Sequence, residues 1–214
     1  NSIYDTPRAG INVSEGTWGG HIIKFNDVFD TVKETGDHGS FNSWGRDRFW
    51  HPHRQVMDSL VNAEPSLILA DVTSPIVLRH NRFRCDRGWD IDLDDGSGNY
   101  HIYNNLCLNG GIKLREGFYR VVENNIIVNN SFHPHVWFKN SGDVFTRNIV
   151  MSSYRPIQVR HWGLEVDYNI FTDSTAYQKA RKQNTDAHSI VCTPAFLNPV
   201  SYTHLRAHET LANL

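Results

Sequence analysis

Cysteine is scarce in this chain of 214 residues, and an excess of charge is missing altogether. The three thiols, Cys85, Cys107 and Cys192, have the spacing of neither a disulfide framework nor a zinc site. Lys plus Arg number 21 against 23 Asp plus Glu, a net charge of −2, which excludes the basic footprint of a nucleic-acid or anionic-membrane binder. No apolar run approaches the roughly 20 residues of a bilayer span, so membrane insertion is not expected. A signal peptide is also missing, but the chain opens at Asn1 rather than methionine, so the expected native start lies elsewhere and the compartment stays open. Aromatic side chains, by contrast, are plentiful at 12%, with six tryptophans, a supply suited to stacking on flat ligands or sugar faces.

Six short segments superimpose on one asparagine: IKFNDV, LRHNRF, IYNNLC, VENNII, FTRNIV and VDYNIF, anchored at Asn26, Asn81, Asn105, Asn125, Asn148 and Asn169. Three residues before each anchor stand Ile23, Leu78, Ile102, Val122, Phe145 and Val166. Two residues after stand Val28, Phe83, Cys107, Ile127, Val150 and Phe171. All twelve are apolar and the positions between them mostly polar, which marks short strands with one buried face.

The last five anchors are 24, 20, 23 and 21 residues apart. Strands recurring at that period predict an all-β chain, a right-handed parallel β-helix of about seven coils over residues 1–198, in preference to a β-sandwich. The anchor asparagine is expected in the left-handed backbone region, with amides stacked from coil to coil. The 55 residues from Asn26 to Asn81 fit two coils plus an inserted loop over about 46–73, with a short helix near 54–62. The extra coil would begin in DHGSFNSWG at 37–45.

A second strand precedes each anchor, with apolar pairs Ile11/Val13, Ile91/Leu93, Ile112/Leu114, Val136/Phe138 and Ile157/Val159. If these pairs point inward, three columns point out. The middle one is Asn12, Asp92, Lys113, Trp137 and Gln158; the preceding one is Gly10, Asp90, Gly111, His135 and Pro156. The following one is Ser14, Asp94, Arg115, Lys139 and Arg160. The stretch WDIDLDDG at 89–96 thereby becomes an outward carboxylate cluster one coil from Lys113 and Arg115. Paired carboxylates serve general acid–base or nucleophilic chemistry on glycosides, and Trp, Lys, Arg and His position sugars. Candidate catalytic residues are Asp37, Asp90, Asp92, Asp94 and Asp95. Candidate substrate-binding residues are His38, Trp44, Arg46, Lys113, Arg115, His135 and Trp137. The plainer alternative is a solvated strand balanced by exposed ion pairs. Asp90, Asp92 and Asp94 also match the start of an EF-hand loop, but Gly96 comes one position late and His101 stands where Glu belongs. No metal ligand set or cofactor is therefore assigned, although a bound cation such as calcium stays open.

The ladder, together with DTVKETGDHGSFNSWGRDRFW, GWDIDLDDGSGNYHIYNNLCLNGGIKLREGFYR and NNSFHPHVWFKNSGDVF, resembles bacterial right-handed parallel β-helix proteins of carbohydrate metabolism. Most of all it is similar to those related to glycoside hydrolase family 141, known for α-L-fucosidase and xylanase activities. The resemblance implies an active groove around Asp37 and Asp90–Asp95, an oligo- or polysaccharide partner, and an extracellular or periplasmic location. VSYTHLRAHET at 200–210 instead resembles a translated sequencing adapter, so 199–214 is expected to be a non-native tail on a chain truncated at both ends. The leading expectation is a glycoside hydrolase acting on a plant or host glycan. A polysaccharide lyase or epimerase on uronic acids and a non-catalytic glycan-binding solenoid are the alternatives.

Overall fold

The computed structural model describes residues 1–15 and 18–194. The expected tail at 199–214 lies outside the described residues. The described residues are rich in short strands gathered in three parallel sheets, with two α-helices, α1 (Arg54–Ala63) and α2 (Ser174–Lys182). One sheet has eight strands, from Ser2–Ile3 through Arg82–Phe83 and Leu106–Cys107 to Ile190–Val191. A second, the site sheet, holds Ile11–Val13, Gly39–Trp44, Trp89–Asp94, Ile112–Leu114 and Phe132–Pro134 in that order. The third has six strands, from Ile22–Lys24 through Tyr100–Tyr103 and Arg120–Glu123 to Glu165–Asp167. As far as Ile149–Val150 the chain visits site sheet, third sheet and eight-stranded sheet in rotation, and strands pair with their counterparts one circuit away.

The apolar positions beside the anchors explain why these strands form. Leu78, Ile102, Val122 and Phe145 are fully buried, as are Val28, Phe83, Cys107, Ile127, Val150 and Phe171. Phe41, Ile91, Ile112 and Phe132 pair in register across the site sheet and point into the same core. Each large apolar side chain so enclosed contributes about 1.5–3 kcal/mol. Two- to four-residue strands would not persist without that shared interior.

Each rung of the asparagine ladder passes its amide to the next. Asn26, Asn81, Asn105 and Asn125 each donate from Nδ2 to the following Oδ1 at 3.0 Å, and Asn148 donates to Asn169 at 3.3 Å. The same oxygens accept the main-chain N–H of the preceding rung. The left-handed residue is not the anchor, however, but its predecessor: Phe25, His80, Asn104, Asn124, Arg147 and Tyr168 have φ of 54–57°. Placing the bend one residue earlier aims the asparagine side chain inward, where its amide replaces the main-chain bonds lost at the corner.

Three expectations of register fail. Asn26 bonds directly to Asn81, so the 55-residue gap holds one circuit with an insertion, not two circuits. The fifth site-sheet strand is Phe132–Pro134, not a strand through Val136 and Phe138. Val136 sits at φ 55°, a conformation rare for a β-branched residue, and this turns the chain so that Trp137 enters the core. Nor does the Ile157/Val159 pair form an inward strand, since Ile157 is half exposed and makes only an isolated bridge to His135.

The insertion carries α1 and a 3₁₀ turn, Pro65–Leu69. Met57, Val61, Ile68 and Phe49 bury themselves against Phe118 and Phe138 in a second, smaller core. Phe118 and Phe138 stack at 4.6 Å. The insertion is thereby fastened beside the C-terminal end of the site sheet.

Candidate functional site

The site sheet places Asn12, Asn42, Asp92, Lys113 and His133 side by side, one from each strand. Two residues on, Trp44 pairs with Asp94, and Arg115 and His135 stand one residue past the ends of the next two strands. Alternation along each strand does the positioning: Ile91 and Leu93 fill the core, so Asp92 and Asp94 emerge on the other face.

Lys113 occupies the centre. Its Nζ lies 3.0 Å from Asp92, 3.3 Å from Asp94 and 3.7 Å from Asp37, and 4.1 Å above the centre of the Trp89 ring. Burial works against its charge, yet Asp92, Asp94 and Asp37 together hold its pKa above the ordinary lysine value. Asp92 is wholly enclosed, and burial pushes its carboxyl up to about 7 despite the pull of Lys113. Among the described residues, neither Asp92 oxygen receives an aligned hydrogen bond, and Asp94 Oδ1 and His135 Nε2 also lack one. Beyond the ion pairs to Lys113 and Arg115 these buried atoms have no partner among the described residues, and they gather on one face. Asp37, Asp92 and Asp94 can each bring one oxygen within 4.8 Å of the others, close enough to hold a cation. Lys113 supplies the positive charge at that point.

A second cluster adjoins the first. Arg115 Nε lies 3.5 Å from Asp94, 3.7 Å from Asp95 and 3.3 Å from Glu116. Arg46 donates to Asp95 from Nε at 2.9 Å and from Nη2 at 2.7 Å, and its guanidinium covers Trp50. Trp50 donates from Nε1 to Glu116, whose carboxyl is raised by burial. Gly96 makes this possible: its φ is +84°, and a β-carbon there would stand 2.8 Å from the Trp50 ring. The insertion therefore rests directly on the turn that ends WDIDLDDG.

On the other flank, Trp89 meets His133 and His135 edge-on. Burial lowers His133 to about 3, with His135 and Arg155 adding to the effect. Burial lowers His135 to about 4, followed by Lys113 and Arg115. Both imidazoles are neutral at physiological pH. Trp44 ends the neighbouring strand and His38 directly precedes it, both engaged by Arg8: its Nε donates to His38 Nε2 at 2.8 Å, and its guanidinium lies 5.4 Å from the Trp44 ring.

Two candidates are displaced from this face. Trp137 is fully buried, packed on Phe132 and Trp162, with its Nε1 donating to the Leu114 carbonyl, so it has no free ring face for a sugar. Asp90 is equally enclosed and accepts the main-chain N–H groups of Cys85, Asn109 and Gly111. Burial pushes its pKa up to about 7 even so. Its bonds to Asn109 and Gly111 tie successive circuits together. Asp37, Asp92, Asp94, Asp95, Lys113, Arg115, Arg46 and His135 do meet. Trp89 and Glu116 join them without having been singled out; Trp50 from the insertion and His133 join them as well. Trp89 and Glu116 directly precede or follow named residues, but their approach depends on how neighbouring circuits and the insertion stack.

No protein-family model matches the chain, and no match to a curated protein or to a solved structure was found. Among the described residues, no helix is long and apolar enough to cross a membrane.

Proposed function

We propose that this chain is a glycoside hydrolase built on a right-handed parallel β-helix, acting outside the cytoplasm on a plant or host glycan. Rotation of the chain through three parallel sheets supports the solenoid, and right-handed crossover is the prevailing sense for parallel strands. The observation that carries the enzymatic reading is the pairing of Asp92 with Asp94 on one strand. One carboxyl is buried, raised to about 7 and short of hydrogen bonds, while its neighbour is partly exposed beside Arg115. Environments that differ in this way separate an acid from a base.

In this reading Asp92 is the general acid that protonates the glycosidic oxygen, and Asp94 attacks the anomeric carbon from below. Their nearest oxygens lie within 4.8 Å, which favours the spacing of retaining enzymes, about 5–5.5 Å, over the wider inverting one. Water then releases the sugar, with Asp92 returning as base. Lys113 covers Asp92 at rest, so substrate entry requires the ammonium to swing toward the exposed Asp37, 3.7 Å away. The lyase reading would need Lys113, Arg115 or His135 as a base; the carboxylates around Lys113 and Arg115 keep both charged, which leaves the neutral His135 for that role.

Release of reducing sugar from a panel of neutral and acidic glycans tests the proposal. Asp92→Asn and Asp94→Asn should each reduce turnover by about 10²–10⁴-fold. Activity through Asp92 should fall as pH rises past about 7, the value to which burial brings it. Unchanged turnover in both variants removes the assignment. Binding without turnover in the unaltered chain makes it a glycan-binding solenoid instead, and an ultraviolet-absorbing product makes it a lyase.

A further inference from the structure

A second concavity lies beyond Arg115 and His135, between helix α1 and the loops that follow the last site-sheet strand. It has a volume of about 820 Å³, far more than an inorganic anion needs and within the range of ligand sites. Its floor is the stacked pair Phe118 and Phe138. These lie three residues from Arg115 and His135 respectively, so the cavity borders the carboxylate groove along the chain.

The charge of its wall differs from that of the chain. Arg54, Lys139 and Arg160 face one carboxylate, Asp58, in a protein whose net charge is −2. Arg54 is committed: it pairs with Asp58 at 3.7 Å, donates to the Trp137 carbonyl and covers Phe138. Lys139 and Arg160 are exposed and, among the described residues, have no ion-pair or hydrogen-bond partner. The wall also presents four side-chain amides, Gln55, Asn62, Asn140 and Gln158, none of them bonded within the described chain. An amide offers both donor and acceptor, as a sugar hydroxyl does, and a cation selects an acid group. Gln158 holds φ 51°, a costly conformation that persists here at the edge of the cavity.

We infer that this cavity is a binding subsite for an anionic saccharide, one carrying carboxylate or sulfate groups, with Lys139 and Arg160 as the anion-reading pair. Free cations without an acid partner, beside unbonded amides in a cavity of saccharide size, match that ligand and no neutral one. The inference rests on the glycan-hydrolase reading for its polymer and adds the class of sugar. It places an acidic unit a few residues along from the proposed point of cleavage. The structure offers carboxylate and sulfate esters the same partners, so the experiment separates them.

Binding is measured by titration calorimetry with hexagalacturonate, sulfated maltohexaose and plain maltohexaose, in the Asp92→Asn background so that turnover does not intervene. The expected result is preference for one or both anionic probes over the neutral one by roughly tenfold or more. That preference should weaken as salt rises and disappear in the Lys139→Ala/Arg160→Ala variant. Whichever anionic probe binds more tightly identifies the acid group. Equal binding of charged and neutral probes, or undiminished anionic binding in the double variant, overturns the inference. Because Lys139 and Arg160 are surface residues, circular dichroism on the variant serves as the folding control. The hydrolase reading fails by a different result, unchanged turnover in Asp92→Asn and Asp94→Asn, so the two outcomes are separate.

Discussion

Replacing Lys113 by methionine removes the ammonium from among three carboxylates and leaves a side chain of similar length. At pH 5.5 Asp92 already carries a proton, since burial has raised it to about 7. The loss is then confined to Asp94 and Asp37, of which Asp37 is largely exposed and screened. A cost of about 1–2 kcal/mol follows at that pH. Above pH 7 the unaltered protein ionises Asp92 beside Lys113. The variant cannot do so cheaply, and its Asp92 pKa moves higher still. A raised carboxyl pKa stabilises the fold at low pH and takes that stability away as pH rises toward the folded value. In the variant this decline therefore continues past 7, by about 1.4 kcal/mol for each further pH unit. At pH 8.5 the total deficit should reach about 3–4 kcal/mol, in line with a broken buried ion pair. Urea unfolding followed by tryptophan fluorescence at pH 5.5, 7 and 8.5 measures it. Adding Asp92→Asn to the variant should abolish the extra slope. A deficit equal at all three pH values would refute the coupling of Asp92 to Lys113.

Asn125→Ala should cost about 4 kcal/mol in the same assay, because Asn105 loses its acceptor and the Ile102 and Glu123 carbonyls lose a donor. A loss below 1 kcal/mol would mean the ladder is incidental. The histidines give a pH signature of opposite sign to the aspartates. Their pKa values near 3 and 4 make stability fall as pH drops below about 6.5, while Asp90 and Asp92 make it fall as pH rises from about 4 to 7. Unfolding midpoints should thus vary little between pH 4.5 and 6.5. In the His133→Gln/His135→Gln variant they should instead decrease as pH rises, and a parallel profile in both proteins would refute the balance.

The apolar alternation around Asn26, Asn81, Asn105, Asn125, Asn148 and Asn169 determined by itself that the chain forms short strands with a shared interior. Each strand is too small to bury its own face, so the pattern has to recur to be stable at all, and recurrence is visible in a linear text. The same alternation put Asp92 and Lys113 on one face, and they are neighbours in register. Only the tertiary structure decided where that face ends. Nothing local distinguishes Val136 from an inward strand residue, yet its left-handed turn sends Trp137 into the core and brings His133 into the column instead. Asp90 reads like Asp92, but the loops around Asn109 and Cys85 close over it. The insertion has a helical pattern of its own, while its seat against Gly96 and Glu116 is set by packing between segments far apart in sequence. Periodicity is a property of neighbours along the chain; enclosure and charge balance depend on what segments distant in sequence bring, and these arise only when the three sheets assemble.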